Sequence, residues 1–333
     1  MKTQRRIAPY IFVELSNITG VIAGSMVFIA LPWLALEITG SAASAGALVA
    51  LTSIPGIFFG PILGTLIDRI GRRISGMISE LLSAITILLI PVVHHSIEVS
   101  FALLVLLALG RAMVNPAAGT ARKSIIPDVA GGAKLSLERA NSIHEAVFAT
   151  GFAIGPAVAA LFIGLIGPFD VFYVVAFFSA LSAVSLFLVK TAEARGDGVS
   201  ETGSLFKDTV LGAKTILKTP AVLLGMSFVM TLAMIYLPTE MVVLPAHFNG
   251  IKSAEGLGIL ISTMAGASVV GALLFERLQK MFKYSTILKL GFIGLGSSVL
   301  CMSFLPPFWL LLILGAILGF SWGPLMPMLN TVI

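Results

Sequence analysis

Long apolar runs separated by short polar segments occupy most of the chain. A helix needs about 20 mostly apolar residues to cross the hydrocarbon core of a membrane, and in lipid its backbone groups must be satisfied within the helix. Ten runs meet this requirement, at residues 10–36, 44–67, 74–94, 98–121, 141–166, 169–190, 219–244, 255–275, 285–305 and 308–331. The pattern predicts an all-α polytopic membrane protein with about ten transmembrane helices.

The composition supports this prediction. Of the 333 residues, 57% are hydrophobic and 11% are charged, whereas a soluble domain has about 25% charged residues, and the mean hydropathy is +1.04. The first apolar run is too long for a signal peptide, so we interpret it as the first helix. The single cysteine and the four scattered histidines give no disulfide and no metal-ligand spacing. We therefore expect no metal and no cofactor.

The basic residues fall almost entirely on one side of the predicted membrane. With the N-terminus in the cytoplasm, only Lys252 of the 21 lysines and arginines lies outside, and only Arg111 lies within a span. Arg122, Lys123 and Arg139 are placed in the inner loop before helix five. This is the positive-inside pattern, and it accounts for the net charge of +5 without a nucleic-acid partner. We predict a multi-pass protein of the cell membrane with a cytoplasmic N-terminus.

Residues 191–218 are the one long polar stretch. They predict a cytoplasmic linker with a short amphipathic helix near 205–217. The linker divides the chain into an N-terminal six-helix bundle at 1–190 and an incomplete C-terminal bundle of four helices at 219–333.

The two sides of the linker resemble each other weakly at a nearly constant offset. The matching segments are IALPWLAL at 29–36 with IYLPTEMV at 235–242, GTLIDR at 64–69 with GALLFER at 271–277, and LGRAMVNP with LGFSWGP, which end at Pro116 and Pro324. Parallel repeats of this kind are a known transporter construction. A complete repeat would place two more helices after Ile333, so we expect a truncated sequence; a functional ten-helix protein and a non-transporting fragment are the alternatives.

The segment GPILGTLIDRIGRR, residues 60–73, places one acid and three bases where the second apolar run ends. Asp68 lies at the C-terminal end of a helix, where the helix dipole disfavours an acid, so it needs a cationic partner. Arg72 at position i+4 can supply one if the helix continues for another turn. Arg69 and Arg73 would then be available for other contacts. The alternative is that these arginines only set the topology.

These residues resemble the signature of the major facilitator superfamily, whose fold is a parallel repeat of two six-helix bundles. The family's loop motif between helices two and three is matched by Gly64, Asp68, Arg69, Gly71, Arg72 and Arg73. A second motif, in helix five, is matched by GFAIGP through Gly151, Gly155 and Pro156, although Ala159 and Ala160 stand where antiporters of the family usually have glycines. The segments ALPWLALEITGSA and NPAAGTARKSIIPD resemble the bacterial drug-efflux branch, which includes macrolide and multidrug exporters.

The resemblance implies a secondary active transporter that moves small amphipathic molecules by alternating access, as a monomeric antiporter that exports drugs against protons. It also implies that the loop at 64–73 closes the cytoplasmic side against helix eleven, which this sequence lacks. Proton-coupled import of a nutrient is the alternative. An enzyme is disfavoured, because only His144 and Glu145 come near a catalytic pair and adjacent helix positions point about 100° apart.

Polar side chains within the predicted helices are the candidate transport and coupling residues, because charge at membrane depth is costly and usually functional. Arg111 lies near the middle of helix four, with Asn115 one turn further on the same face. It is expected either to line a central cavity or to form a structural pair. Glu14, with Asn17 one turn on, is the candidate for proton coupling, and a carboxylate that simply reaches water is the alternative. Glu145 is a further candidate.

The other acids are expected near water. Glu80 and Glu145, closer to the inner surface, are expected to reach water or to pair with Arg139 or Lys123. Glu240 and Glu37 are expected to face the outer water.

Glycines at four-residue intervals predict close helix packing and the sliding seams of a transporter. They are Gly56, Gly60, Gly64, Gly151, Gly155, Gly315, Gly319 and Gly323. The pairs Asn115-Pro116 and Gly155-Pro156 are expected to kink their helices or to free carbonyl groups near a cavity.

Overall fold

A computed structural model describes residues 7–190, 230–231 and 234–325, without the side chains of residues 56–69, 138, 276 and 284. The described residues contain helices and no β-strand, so the predicted all-α class is confirmed. The helices are α1 (Ala8–Thr39), α2 (Ala42–Ile70), α3 (Arg72–His94), α4 (Phe101–Ala133), α5 (Leu137–Ile166), α6 (Val171–Leu188), α7 (Leu244–Gly250), α8 (Ala254–Met281), α9 (Tyr284–Met302) and α10 (Phe308–Trp322). The predicted linker helix near 205–217 lies outside the described residues.

The described helices belong to two compact units, Met1–Val199 and Ser200–Ile333, and the division falls inside the segment predicted as a linker. In the described part of the chain, seven helical segments are long and apolar enough to cross a membrane, in α1, α3, α4, α5, α6, α8 and α9. The Ala42–Pro55 part of α2 and the whole of α10 are shorter apolar helices. The chain is therefore a multi-pass membrane protein.

Local sequence explains several helix ends. The hydroxyl oxygens of Ser100 and Ser136 each accept a hydrogen bond at 3.3 Å, from the N–H of Leu103 in α4 and of Arg139 in α5. These are N-caps, which satisfy amide groups that the first helical turn leaves without partners. Arg139, which we predicted in a loop, therefore lies in the first turn of α5. Gly71 separates α2 from α3, because its φ of +100° is rarely adopted by other residues.

Helix α4 is longer than predicted. The sequence pattern ended this span at residue 121, but the helix has 33 residues and continues to Ala133. Arg122 and Lys123 therefore lie within the helix and not in a loop. The prediction took these basic residues as the end of the apolar run, whereas the charge of Arg122 is compensated by a carboxylate inside the bundle.

The predicted seventh span, 219–244, also ends later than expected. Residues 234–238 are α-helical, Thr239–Val243 forms a π-helical turn, and α7 continues to Gly250. Pro245 lies within this helical path and does not end it.

Small residues bring α1 and α5 close together in the first unit. A Cβ atom on Gly151 would lie 3.2 Å from the carbonyl oxygen of Ile18, and one on Gly155 would lie 2.9 Å from that of Ile22. Both positions are tighter than ordinary van der Waals contact, so the predicted close packing at these two glycines is confirmed. It holds α1 against the face of α5 that carries the polar groups described below.

The second unit has a similar contact between α8 and α10. Gly319 lies directly against the backbone of Met264, and a Cβ on Gly315 would lie 2.7 Å from Cδ1 of Leu260. The predicted small-residue face of helix ten is thereby confirmed at these two positions.

Candidate functional site

Three polar side chains meet where α1 and α5 pack together. His144 Nδ1 lies 3.2 Å from Glu14 Oε1 and 3.2 Å from Asn17 Nδ2. The Asn17 amide also donates a hydrogen bond to the carbonyl oxygen of His144 at 2.9 Å and to Glu14 Oε2 at 3.4 Å. All three side chains lie largely inside the bundle, and the imidazole is buried. We call Glu14, Asn17 and His144 the α1–α5 triad.

In the α1–α5 triad, the presence or absence of a proton on His144 Nδ1 decides which of two hydrogen bonds this atom forms. An amide nitrogen can only donate, and an ionised carboxylate can only accept. His144 Nδ1 therefore donates to Glu14 when it carries a proton, and accepts from Asn17 when it does not. Because Nδ1 cannot do both at once, gain or loss of a proton exchanges one interhelical hydrogen bond for another.

A buried ion pair joins α3 to α4 in the same unit. Arg122 Nη1 donates to Glu80 Oε1, and the exposed fractions of the two side chains are 7% and 2%. Arg122 also donates to Ser182 Oγ of α6 at 3.3 Å, and Ser182 donates to the carbonyl oxygen of Ser16 in α1 at 2.9 Å. Glu80 therefore pairs with Arg122, and our prediction that it reaches water or pairs with Arg139 or Lys123 is wrong.

The backbone of α1 accommodates this pair because residue 20 has no side chain. A Cβ on Gly20 would lie 2.5 Å from Glu80 Oε1 and 2.6 Å from Arg122 Nη1. The ion pair therefore fills the space that a larger residue on α1 would occupy.

Arg111 is buried near the middle of α4, with 8% of its surface exposed. Its position is about 15 Å from the Phe101 end of the helix. Nη2 donates to Asn115 Oδ1 at 3.2 Å, as expected from their one-turn spacing. Nε has no hydrogen-bond partner among the described residues. In the described part of the chain no carboxylate forms an ion pair with Arg111, so most of its donors are available to water or a ligand.

The loop after α2 has a different arrangement from the one predicted. Gly71 ends the helical path, so the condition for an i,i+4 pair between Asp68 and Arg72 is not met. Arg72 Nη1 donates to Asp128 at 3.2 Å and to the carbonyl oxygen of Ser124 at 3.0 Å, both on α4. The guanidinium of Arg73 lies 6.0 Å from the centre of the Phe187 ring. Gly64, Asp68 and Arg69 belong to residues 56–69, whose side chains the structure does not describe.

Other predicted acids lie apart from the α1–α5 triad. Glu145 is exposed and pairs with Lys123 at 2.7 Å, so the predicted pairing of Glu145 is confirmed. Glu37 is exposed. Glu240 is buried, and its carboxylate hydrogen-bonds to Tyr236, so the prediction that it faces the outer water is wrong. The error has a structural reason: the helix extends beyond residue 244 and places Glu240 farther from its end.

Pro116 and Pro156 lie within the continuous helices α4 and α5. Neither proline ends its helix.

Sequence reasoning did not identify three residues that the fold brings into polar contacts. His144 completes the α1–α5 triad, Arg122 pairs with Glu80, and Asp128 receives Arg72. For Arg122 and Asp128, the available signal was the length of α4. Both residues lie on this helix once it is extended past residue 121.

Comparisons with known proteins point to one family. The model of the Major Facilitator Superfamily matches residues 15–333. The chain is 31% identical to the multidrug efflux pump Tap of Mycolicibacterium fortuitum, covering 99% of this chain and 82% of that protein. It is 30% identical to the multidrug efflux pump Tap of Mycobacterium tuberculosis, covering 92% of this chain and 74% of the relative.

Solved structures share the fold at low sequence identity. The nucleoside transporter NupG matches with a TM-score of 0.74 and 14% identity, covering 97% of this chain and 81% of NupG. A D-xylose–proton symporter matches with a TM-score of 0.71 and 14% identity, covering 96% and 81%.

Proposed function

Because the chain belongs to the major facilitator superfamily, we propose that it is a proton-coupled exporter of small amphipathic compounds such as drugs. The family and the relatives are transporters, so the chain is a transporter and not an enzyme. We infer the direction of transport and the class of substrate from the 31% identity to a multidrug efflux pump along 99% of the chain. The orientation we propose has the N-terminus in the cytoplasm, as the distribution of basic residues favours.

We assign proton coupling to the α1–α5 triad. A coupling group must accept a proton on one side of the membrane, release it on the other, and transmit that change to the protein. The Nδ1 atom of His144 lies between Glu14 and Asn17, and its proton decides which of the two it hydrogen-bonds to. Since these partners lie on α1 and the imidazole lies on α5, each proton transfer alters the packing of the two helices.

Arg111 and Asn115 are our candidates for contact with the transported molecule. The guanidinium keeps its charge at any physiological pH, and most of its donors are not used within the described residues. Acceptor atoms of a substrate can replace water at these donors.

The loop of Gly64, Asp68, Arg69, Gly71, Arg72 and Arg73 is proposed to control opening of the cytoplasmic side. Its contact with α4 through Arg72 and Asp128 supports this role, because the ion pair links the residue directly after Gly71 to the next helix.

Transport in everted membrane vesicles tests the proposed function. An imposed proton gradient, acidic inside, should load wild-type vesicles with a fluorescent amphipathic drug, because an exporter works inward in this geometry. Glu14→Gln and His144→Gln should each abolish loading driven by the gradient while leaving downhill movement of the drug. Glu37→Gln, which removes an exposed acid from the same helix, should load like the wild type.

Two results would contradict these proposals. Emptying of preloaded everted vesicles under the same gradient would indicate import. Normal gradient-driven loading by the Glu14 and His144 variants would remove proton coupling from the α1–α5 triad.

A further inference from the structure

A group of buried polar atoms in the first unit has no hydrogen-bond partner among the described residues. The group consists of Oε2 of Glu80 and Oγ of Ser83 in α3, Nε of Arg111 in α4, and Oγ of Ser179 in α6. We call Ser83 and Ser179 the serine pair; they and Glu80 have at most 1% of their surface exposed. A buried polar atom without a partner costs free energy, so native proteins rarely retain one. Several such atoms on helices that pack against each other therefore indicate a bound polar molecule.

The serine pair lies at one level of the bundle, on α3 and α6. The two helices are antiparallel, since His94 at the end of α3 stacks on Phe169, just before α6 begins. Nearer the other end of the contact, a Cβ on Gly76 would lie 3.0 Å from Cδ1 of Leu186. Each member of the serine pair lies seven residues from that contact, on the side toward His94 and Phe169. The two hydroxyl groups are therefore opposite each other.

Arg111 lies at the same level on α4. The Ser79 hydroxyl of α3 donates to the carbonyl oxygen of Val114, and farther along the two helices a Cβ on Gly110 would lie 3.3 Å from Cγ2 of Thr86. The α3 member of the serine pair lies between these two contacts, and so does Arg111 on α4. Arg111 is therefore within about one helical turn of the level of the serine pair.

Glu80 and α1 complete the surroundings. Glu80 lies one turn before Ser83 on the same face of α3, and Arg122 uses its Oε1 atom, so Oε2 remains available. On α1, a Cβ on Gly24 would have one neighbouring atom within 4 Å, Nη2 of Arg111 at 3.9 Å. The backbone of α1 therefore leaves room for a small molecule beside the guanidinium.

The hydrogen-bonding chemistry of these groups selects water as that molecule. The Nε atom of Arg111 can only donate, the ionised carboxylate of Glu80 can only accept, and a serine hydroxyl can do both. An anion would satisfy Arg111 but would be repelled by Glu80, and a cation would meet the opposite conflict. Water accepts from the guanidinium and donates to the carboxylate, and a buried water typically forms about three hydrogen bonds.

We propose that water bound at the serine pair links Oε2 of Glu80 to Nε of Arg111. The link gives the buried guanidinium a counter-charge through water, since no ion pair among the described residues includes Arg111. It also joins Arg111 to the Glu80–Arg122 pair in one hydrogen-bonded network. The inference goes beyond the proposed function and does not depend on the direction of transport or on proton coupling.

Ser83→Ala and Ser179→Ala test the inference, because the bound water determines the sign of their effect. If the hydroxyls hold water, each alanine leaves the water and its other partners with fewer hydrogen bonds. Each variant should then raise the equilibrium constant of unfolding about fivefold to thirtyfold. If the hydroxyls have no partner, each alanine removes a buried unpaired polar group and should lower that constant. Reversible unfolding of the purified full chain in mixed detergent micelles measures the change.

Ser185→Ala is the matched control on α6. Ser185 is also buried, but its hydroxyl donates to the carbonyl oxygen of Leu181 at 2.7 Å, within its own helix. Its replacement should change the unfolding constant by less than about a factor of three. The double variant Ser83→Ala with Ser179→Ala should raise the constant by less than the product of the two single effects, because both residues hold the same water.

A density map that resolves ordered water elsewhere in the first unit provides a direct check. It should show a peak within about 3.2 Å of Arg111 Nε and of a serine-pair oxygen, and the peak should be missing in the double variant.

Any of three results excludes the water site. The first is greater stability of both single alanine variants, or a change in them no larger than that of Ser185→Ala. The second is a double variant whose effect equals the product of the single effects. The third is a map of that quality without a peak between the serine pair and Arg111. Drug loading of everted vesicles by the wild-type protein tests the proposed export function separately.

Discussion

At the scale of single residues, two neighbouring positions on α4 have opposite environments. Arg122 is enclosed by Glu80, Ser182 and the backbone at Gly20, whereas Lys123 forms an ion pair with Glu145 in which both side chains are more than half exposed, at 66% and 57%. Removing one partner of a buried pair leaves an uncompensated charge in a medium that solvates it poorly. An exposed pair can exchange its partner for water.

Arg122→Ala is therefore predicted to lower the free energy of unfolding by about 3–5 kcal/mol. Lys123→Ala should lower it by less than about 1 kcal/mol. Reversible unfolding in mixed detergent micelles measures both changes.

A double variant supplies the control for this prediction. Combining Arg122→Gln with Glu80→Gln removes both charges, and it should lose less stability than the sum of the two single variants. Equal losses of unfolding free energy in the Arg122 and Lys123 variants would show that burial of the Arg122–Glu80 pair does not increase its contribution to stability.

At the scale of helices, the contact between α1 and α5 depends on residues without side chains. Gly155 faces Ser25 and the carbonyl oxygen of Ile22, whereas Gly164 on the same helix has no neighbouring atom within 4 Å of an added Cβ. Close approach at Gly155 also keeps the α1–α5 triad within hydrogen-bonding distance. The stability of this contact and the proposed proton coupling thus depend on the same helix separation.

Gly155→Ala should destabilise the protein by about 1–3 kcal/mol, because a methyl group there requires the helices to separate. It should also reduce proton-driven loading of everted vesicles. Gly164→Ala should cause neither loss, since its methyl group meets no neighbour. Thermal unfolding and vesicle loading are measured for both variants. Equal stability and equal loading of the two variants would contradict the role of Gly155 in the close packing of α1 and α5.

At the scale of the whole molecule, the chain contains two compact helical units joined near residue 200 and belongs to a family of membrane transporters. The segments between helices carry the information on orientation. Ser96 lies between α3 and α4, Lys134 lies between α4 and α5, and both are exposed. With the proposed cytoplasmic N-terminus these two positions lie on opposite sides of the membrane.

Single-cysteine labelling tests the orientation. On a Cys301→Ser background, Ser96→Cys should react with a membrane-impermeant maleimide in intact cells. Lys134→Cys should react only in everted vesicles or after permeabilisation. The reverse pattern would place the N-terminus outside and would reverse the proposed direction of transport.

Several features of the fold could be predicted from the sequence because they depend on local properties. Length and apolarity predicted the membrane helices that the described residues confirm, since lipid requires both along a continuous segment. Helical spacing predicted the contact of Arg111 with Asn115. Small residues at four-residue intervals predicted the close packing of α5 and α10.

The sequence did not predict the partners and environments of the charged groups. Arg122 was assigned to a loop, and Glu240 was assigned to the outer water. Glu80 was assigned to water or to a pair with Arg139 or Lys123, and His144 was left out of the candidate site. For Arg122, the assignment assumed that a basic residue marks the end of a span.

The amino-acid sequence by itself thus determined the fold class, the transporter family and the helical segments, because apolar length and the loop motif can be recognised along the chain. Only the tertiary structure decided that Glu80 meets Arg122, that Glu14 and Asn17 meet His144, and that Glu240 is buried. The physical reason is that the cost of burying a charge depends on groups that other helices bring to it. Those groups are distant in sequence, and packing alone makes them neighbours.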